Sequence, residues 1–268
     1  ADAAQNKRDF NNTAKDPKLK LGANFKLIEF IENKIIKDKY SPAAALAEAR
    51  KKGYEVNFCV KTLYNYIDEG LFVKLTNDDL PIKKIGNKRP YHHVRTAYTQ
   101  KGKSIEERPE EAENKEIFGH WELDTVVGKL KTKSALMVMT ERSKGIEIIR
   151  KIESKSQECI VRELDKLERK LGTKKFRETF KTITCDNGCE NLDFKGMEKS
   201  VLTNIPRTQV FYAHPYSAWE RGANECANKL IRRFIPKGTD ISKHSKKFIR
   251  YIQHWMNNYP CLLYTSDA

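Results

Sequence analysis

The feature that most constrains the fold of this chain is a change in hydrophobic pattern near residue 120. Before it, apolar residues recur at helical spacing. After it, runs rich in β-forming residues alternate with amphipathic helical segments. The predicted strands cover residues 121–129, 135–141, 145–152, 180–185 and 208–213, and the predicted helices cover 156–171, 217–235 and 242–257. Three successive strands, a helix, a strand and further helices predict a mixed α/β sheet with helices on its faces.

The composition favours a nucleic-acid partner. The 268 residues include 51 Lys and Arg against 36 Asp and Glu, a net charge of +15 that attracts polyanions. No apolar run approaches the ~18 residues of a membrane span, and the N-terminus lacks the apolar core of a signal peptide. The six cysteines form no C-x-x-C pair, so we expect a reducing cytoplasm rather than a disulfide scaffold.

Residues 1–70 form the first predicted region, which is helical. Residues 25–36 carry apolar side chains at helical spacing, and Ser41 followed by Pro42 is a typical start for a second helix. A third helix is predicted over 60–68. Four of its side chains are predicted to be exposed: Lys61, Thr62, Tyr64 and Asn65. This arrangement suits a helix-turn-helix that binds DNA, and a small helical bundle without DNA contacts is the alternative.

Two further regions complete the predicted domain organisation. Residues 71–118 combine charged stretches with weak apolar periodicity, which is typical of a solvated linker, and a DNA-tracking arm is the alternative. Residues 119–268 contain the predicted sheet. They carry 28 basic and 18 acidic side chains, so ten of the fifteen net positive charges lie there.

Two acids occupy notable positions in this sheet. Asp124 lies in the middle of a predicted strand, where alternation puts it on the same face as Glu122. Asp186 directly follows the apolar strand 180–185, and the carboxyl ends of strands are where α/β sheets bind ligands. Taken singly, each has a plain structural explanation. Asp124 suits an edge strand with a solvated face, and Asp186 suits an Asp-Asn-Gly turn.

A third acid, Glu225, lies on the predicted helix 217–235. Helical spacing aligns four polar side chains along one stripe: Arg221, Glu225, Asn228 and Arg232. A solvated helix face is the plain explanation. Gly222 argues against it, because Gly costs about 1 kcal/mol in a helix interior and instead permits close approach of a strand or a phosphate backbone.

Together the three acids predict a site for phosphoryl transfer. Hard divalent cations prefer oxygen ligands, and two such ions ~3.5–4 Å apart activate an attacking oxygen and stabilise a leaving one. Without a cation, three clustered carboxylates would repel one another.

Five sequence blocks carry a family resemblance. They are S-I-E-E-R-P at 104–109, G-H-W-E-L-D-T-V-V-G-K at 119–129, T-C-D-N-G-C-E at 184–190, A-H-P-Y-S-A-W-E-R-G-A-N-E-C-A-N at 213–228 and R-R-F-I-P-K-G-T-D-I-S at 232–242. Over roughly residues 41–258 the chain resembles the DDE-type transposases of bacterial insertion sequences, most closely the IS-thirty family. The resemblance implies a ribonuclease-H-like α/β fold similar to retroviral integrases, in agreement with the predicted order of elements.

The resemblance also implies roles for individual residues. Asp124, Asp186 and Glu225 match the three metal-binding catalytic acids, and the implied cofactor is two Mg²⁺ ions, for which Mn²⁺ can substitute. Glu220 is the close competitor for the third role, and the spacing G-x-x-E-x-x-N favours Glu225. The residues that match the active-site loops of the family are Asn187, Gly188, His214, Tyr216 and Trp219.

The expected partner is double-stranded DNA, both element ends and target. Residues 226–250 hold eight basic side chains against Asp240 alone, so we expect this segment to hold phosphates. The expected DNA-binding residues, beside those of the third helix, are Arg221, Asn228, Lys229, Arg232, Arg233 and Lys237. We also expect a homo-oligomer on DNA, no membrane, no small-molecule substrate, and a location in the bacterial cytoplasm at the nucleoid.

Two departures from the family bear on function. Residues 1–24 do not resemble the further helix-turn-helix that the family carries, and residues 261–268 do not resemble its continuation, so both ends look cut. The function that we expect is metal-dependent DNA cleavage at element ends followed by strand transfer. The alternatives are a non-catalytic DNA-binding remnant of a transposase and a structure-specific nuclease of the same fold.

Overall fold

A computed structural model describes residues 24–81, 102–113, 116–214 and 217–260. It divides the chain into two compact units, one built from residues 1–90 with 259–268 and the other from residues 91–258. No helix in the described parts of the chain is long and apolar enough to cross a membrane.

The first unit contains three helices within its described residues: α1 (Phe25–Ile36), α2 (Pro42–Lys51) and α3 (Val60–Asp68). The Ser41 hydroxyl accepts the backbone N–H of Ala44 at the start of α2, as the Ser-Pro signal predicts. The buried Glu32 carboxylate of α1 accepts the backbone N–H of Lys74 at 2.8 Å, which fastens the segment after α3 back onto α1. The three predicted helices are confirmed.

The second unit is built on a mixed sheet. Its described strands are β1 (Lys103–Ser104), β2 (His120–Val127), β3 (Ala135–Glu141), β4 (Glu147–Ile152), β5 (Thr182–Cys185) and β6 (Gln209–Tyr212). Their order across the sheet is β1-β6-β5-β2-β3-β4. Strands β2, β3 and β4 pair antiparallel, whereas β2, β5, β6 and β1 pair parallel. The predicted α/β class, with a mixed sheet flanked by helices and preceded by a helical region, is confirmed.

Two helices cover one face of this sheet. Helix α5 (Gln157–Leu171) buries Ile160, Leu164 and Leu167 as its 3.6-residue period predicts, and it ends at Gly172. Helix α6 (Thr173–Thr179) adds the buried Phe176. Between the helices and the sheet lies the apolar core, which includes Trp121, Leu123, Met137, Met139, Phe180, Ile183, Val210 and Tyr212.

The last helix, α9 (Lys246–Asn257), closes the sheet at its edge strand β4. The Gln253 side chain accepts the backbone N–H of Ile149 at 2.9 Å. The Asn257 amide accepts the N–H of Glu147 at 2.7 Å and donates to its carbonyl at 3.0 Å. These bonds pair groups that an edge strand would otherwise leave open to another chain.

The structure corrects two predicted helices. The helix predicted over 217–235 is a 3₁₀ turn, Ala218–Arg221, followed by α8 (Gly222–Ile231), so the stripe from Arg221 to Arg232 is not one continuous helical face. The helix predicted over 242–257 starts at Lys246, because the Ser245 hydroxyl caps it by accepting the N–H of Phe248.

Several short elements went unpredicted. They are β1, α4 (Glu110–Glu113), α6 and α7 (Phe194–Glu198). Within the segment predicted to be a linker, β1 pairs with β6, and Ile105 and Arg108 are buried. The predicted domain boundaries at residues 70 and 118 stay predictions.

The end of β2 is braced by the chain that follows α8. The backbone N–H of Lys129 donates to the Thr239 carbonyl at 2.9 Å. A Cβ added at Gly128 would lie 2.5 Å from that same carbonyl oxygen, closer than van der Waals contact allows. Gly128 therefore permits this backbone approach.

We expect Gly128→Ala to lower the free energy of unfolding by about 1–3 kcal/mol, the usual cost of overpacking. Urea unfolding followed by circular dichroism measures it. Gly222→Ala is the matched control, because nothing lies within 4 Å of a Cβ at that first helical position. Equal stability of the Gly128→Ala variant and the wild type would contradict the close approach.

A row of buried polar side chains crosses the second face of the sheet. Thr184, Glu122, Thr140 and Glu147 are partners in the register of β5, β2, β3 and β4, so they share that face. Glu147 accepts the Thr140 hydroxyl at 2.9 Å, and burial raises the pKa of Glu147 from 4.5 to about 8. The folded protein therefore holds the Glu147 proton more tightly than the unfolded chain does.

Because folding raises this pKa, the contribution of Glu147 to stability is fully present below about pH 4.5 and is lost as the pH rises to about 8. We expect Glu147→Gln to flatten the decline in the free energy of unfolding over that range and to be more stable than wild type at about pH 8. Denaturant unfolding at a series of pH values measures both profiles. Glu153→Gln replaces a carboxylate with 86% side-chain exposure, so its free energy of unfolding should change with pH as that of wild type does.

Candidate active site on two neighbouring parallel strands

The parallel pairing of β2 with β5 places two carboxylates next to each other. Leu123 pairs with Cys185 in the register, and Asp124 and Asp186 are the residues that follow on the two strands. Both side chains are partly open to solvent, with exposed fractions of 22% for Asp124 and 38% for Asp186. Two of the three predicted acids are therefore neighbours on adjacent strands of the sheet.

Arg221 lies between these two carboxylates. Its Nη1 is 3.7 Å from Asp124 Oδ1, and its Nη2 is 3.3 Å from Asp186 Oδ2. The 3₁₀ turn Ala218–Arg221 presents the side chain, which is 16% exposed. One guanidinium thus offsets the repulsion between two neighbouring negative charges.

Each carboxylate is also held by a hydrogen bond on its other oxygen. Asn228 of α8 donates to Asp124 Oδ2 at 2.6 Å. Asn191 donates its side-chain N–H to Asp186 Oδ1 at 2.8 Å, and the backbone N–H of Gly188 donates to the same oxygen at 3.1 Å. These bonds fix the orientation of both side chains.

The loop after Asp186 is tied to a neighbouring strand. The Asn187 side chain donates to the Ala213 carbonyl at 2.7 Å, which ties the loop to the end of β6. A Cβ at Gly188 would lie 2.6 Å from Glu190 Oε2 and 2.9 Å from Asp186 Oδ1. Asn187 and Gly188 are thus positioned to shape the surroundings of Asp186.

Glu225 is not part of this group. Its side chain is exposed in the first turn of α8, three residues before Asn228, which does contact Asp124. Among the described residues, no set of three or more His, Cys, Asp or Glu side chains is placed to hold a metal ion. The role of Glu225 as the third acid stays a prediction.

The competing acid, Glu220, is engaged elsewhere. It accepts the backbone N–H of His214 at 2.8 Å and lies 2.8 Å from His214 Nδ1. This hydrogen bond raises the pKa of His214, with a further contribution from Glu106. The structure therefore pairs Glu220 with the predicted loop residue His214. Of the other loop residues, Trp219 lies on the 3₁₀ turn and Tyr216 lies outside the described residues.

The sequence interpretation missed a buried ion pair beneath the carboxylates. Glu122 is only 2% exposed, and its Oε1 lies 3.2 Å from Arg142 Nε. Its Oε2 accepts the backbone N–H of Asn224 at 3.1 Å, in the first turn of α8. Burial raises the pKa of Glu122, and Arg142 opposes that rise. Glu122 therefore fastens α8 to the strand that carries Asp124. The sequence signal for this role was the alternation that puts Glu122 on the same strand face as Asp124.

The predicted DNA-binding residues differ in their exposure and in the groups that they contact. Lys229 and Lys237 are exposed, whereas the Arg233 guanidinium lies 5.9 Å from the centre of the Trp255 ring. Arg232 donates to the Val127 carbonyl at 2.8 Å and so braces the end of β2. In the first unit, Lys61, Tyr64 and Asn65 are exposed on α3, and the half-buried Thr62 hydroxyl lies 3.4 Å from Cys59 Sγ.

Curated relatives share much of this chain. A probable transposase for the insertion-like sequence element IS1161 of Streptococcus salivarius is 36% identical over 208 residues, which are 75% of this chain and 54% of that protein. The transposase for IS4351 of Bacteroides fragilis is 30% identical over 85% of this chain and 67% of its own length. The transposase InsI for IS30D of Escherichia coli K12 is 30% identical over 59% of this chain and 39% of its own length.

The chain thus spans about half the length of the first of these relatives. No family model matches it. Among solved structures, a chain of a simian T-cell lymphotropic virus intasome, determined in complex with the PP2A regulatory subunit B56 gamma, superposes with a TM-score of 0.37. It is 12% identical in sequence, and the superposition covers 81% of this chain and 64% of that one.

We expect Glu122→Ala to lower the free energy of unfolding by about 3–5 kcal/mol, because it leaves the buried Arg142 without its carboxylate. Glu153→Ala, which removes the exposed partner of Arg162, should change stability by less than about 1 kcal/mol. Denaturant unfolding compares the two variants. A similar small effect for both would mean that the Glu122–Arg142 pair does not anchor the site.

Proposed function

This chain belongs to the family of insertion-sequence transposases, and from that premise we propose that it cleaves DNA at element ends and joins the freed end to target DNA with a divalent cation. The observation that carries the proposal is the pair Asp124 and Asp186, which the register of two parallel strands makes neighbours and which Arg221 bridges.

The residues present suit a hard divalent cation. Asp124 and Asp186 offer carboxylate oxygens, which Mg²⁺ and Mn²⁺ prefer, and a cationic group already lies between them. The nearby Asn228 Oδ1 is buried without a hydrogen-bond partner among the described residues, which leaves another oxygen donor beside Asp124. We propose that Asp124 and Asp186 hold Mg²⁺ and that Glu225, on the helix that adjoins them, is the third ligand.

When bound, the cation would supply electrostatic activation of the attacking oxygen and stabilisation of the leaving one. The protein's own residues keep the carboxylates oriented: Asn228 holds Asp124, and Asn191 with the Gly188 N–H holds Asp186. Glu122 keeps α8 against β2 through the Asn224 N–H. In this arrangement catalysis rests on positioning and electrostatics.

The proposed reaction has two displacements at phosphorus. In the first, water forms a new P–O bond at the element end, and the bond to the 3′ oxygen breaks to release a 3′-OH. In the second, that 3′-OH attacks a target phosphodiester, the new bond joins element to target, and the target's own 3′ oxygen leaves with a proton. Neither step requires a covalent protein–DNA intermediate.

The proposed partner is duplex DNA, and the proposed location is the bacterial cytoplasm at the nucleoid. The exposed Lys229 and Lys237 follow Glu225 in the chain, in a segment where basic residues outnumber acids eight to one. Charges so placed would hold phosphates near the carboxylate pair, and the affinity should fall steeply with salt. Oligomeric assembly on DNA is part of the same proposal.

A strand-transfer assay tests the proposal. The full chain is incubated in Mg²⁺ or Mn²⁺ with a labelled donor duplex and a supercoiled target plasmid. The donor carries an insertion-sequence end of this family that terminates in a 3′-OH. We expect label to join the plasmid in the wild type. Asp124→Asn, Asp186→Asn and Glu225→Gln should each lower joining at least about 100-fold, because each removes a proposed cation ligand while preserving shape.

Glu153→Gln is the matched control, because it makes the same carboxylate-to-amide change at an exposed position. Nicking without joining would instead indicate the structure-specific nuclease. Duplex binding without nicking would indicate the non-catalytic remnant. Full joining activity in Asp124→Asn would refute the assignment of the site.

A further inference from the structure

We propose that Arg221 is a positioning residue that holds Asp124 and Asp186 in place as a built-in counter-ion, and that a divalent cation must displace it to bind. This inference rests on the proposed cation site. It goes beyond the sequence-based expectation, which places Arg221 among the DNA-binding residues.

Each of the two aspartates has one oxygen that accepts a hydrogen bond from an asparagine and one that faces Arg221. Asp124 Oδ2 is held by Asn228, and Asp186 Oδ1 is held by Asn191 and the Gly188 N–H. The remaining oxygens are Asp124 Oδ1 and Asp186 Oδ2, and these are the two that Arg221 faces at 3.7 Å and 3.3 Å. A cation that binds both aspartates through their remaining oxygens therefore competes directly with the guanidinium.

Arg221 offsets the electrostatic repulsion between the two carboxylates. Two carboxylates that follow paired residues on adjacent strands repel each other, and the repulsion is strongest where water is partly excluded. Arg221 presents two N–H donors at once, so a single side chain reaches both carboxylates. The pair can thus stay oriented before a cation arrives.

Arg221 is held loosely enough to move away from the two carboxylates. Its contacts with the carboxylates are 3.3 Å or longer, and its Nη1 lies 3.5 Å from the Leu123 carbonyl. Ion pairs with partly exposed partners are screened by solvent and are individually weak. Displacement therefore weakens cation binding by a modest factor rather than preventing it. The freed guanidinium has the planar fork that suits a phosphate of bound DNA.

Isothermal titration calorimetry of the 268-residue chain with Mn²⁺, without DNA, tests the inference. Arg221→Gln removes the competing charge, so we expect its dissociation constant for Mn²⁺ to be about 3–10 times smaller than that of wild type. Arg221→Lys keeps the charge but lacks the fork that spans both carboxylates, so its affinity should lie between the two. Arg169→Gln, an exposed arginine in the last turn of α5, should bind Mn²⁺ like wild type.

Thermal melts without metal check that each variant is folded. Should Arg221→Gln fail to fold, the comparison of Arg221→Lys with wild type carries the test alone. A different outcome is that Asp124→Asn abolishes Mn²⁺ binding while the Arg221 variants bind Mn²⁺ no more tightly than wild type. That outcome would overturn the role of Arg221 and leave the cation site standing. No Mn²⁺ binding in any variant would overturn both.

Discussion

Asp124, in the middle of β2, and Asp186, directly after β5, are neighbouring carboxylates, and their mutual repulsion requires a positive charge between them. The pairing of Leu123 with Cys185 makes Asp124 and Asp186 neighbours. Arg221 meets the requirement from the turn that precedes α8. Because the same helix then supplies Asn228 to Asp124, the seating of α8 on β2 determines the geometry of the whole site.

The two faces of the sheet differ in their polar content. One face carries the apolar core under α5 and α6, and burial of apolar surface drives folding. The other carries the row from Thr184 through Glu122 to Glu147, in which buried polar groups are costly unless they are bonded. Glu122 forms an ion pair with Arg142 and accepts the backbone N–H of Asn224 in α8. Through Glu122, this row attaches α8 to the sheet beside the candidate site.

Much of this fold could be predicted from sequence, because alternation and helical periodicity are local signals. They located α1, α3, β3 and α5 to within about a residue. Short elements such as α7 lack enough residues to show a period, and β1 is defined only by its pairing with β6. The grouping of Asp124 with Asp186 was expected from the family resemblance, and the parallel pairing of β2 with β5 accounts for it. The roles of Arg221 and Glu122 were not expected, since both depend on contacts across about 100 residues of chain that no local pattern encodes.

We propose that Asp124 and Asp186 form a cation site and that the Arg221 guanidinium must leave it before a cation binds. The most direct measurement is a crystal structure of the full chain grown with Mn²⁺, with anomalous scattering to locate the ion. We expect an anomalous peak that is shared by Asp124 Oδ1 and Asp186 Oδ2, with the Arg221 guanidinium moved away from both. Saturating Mn²⁺ with no peak at the two carboxylates, and with Arg221 still bridging them, would contradict the account.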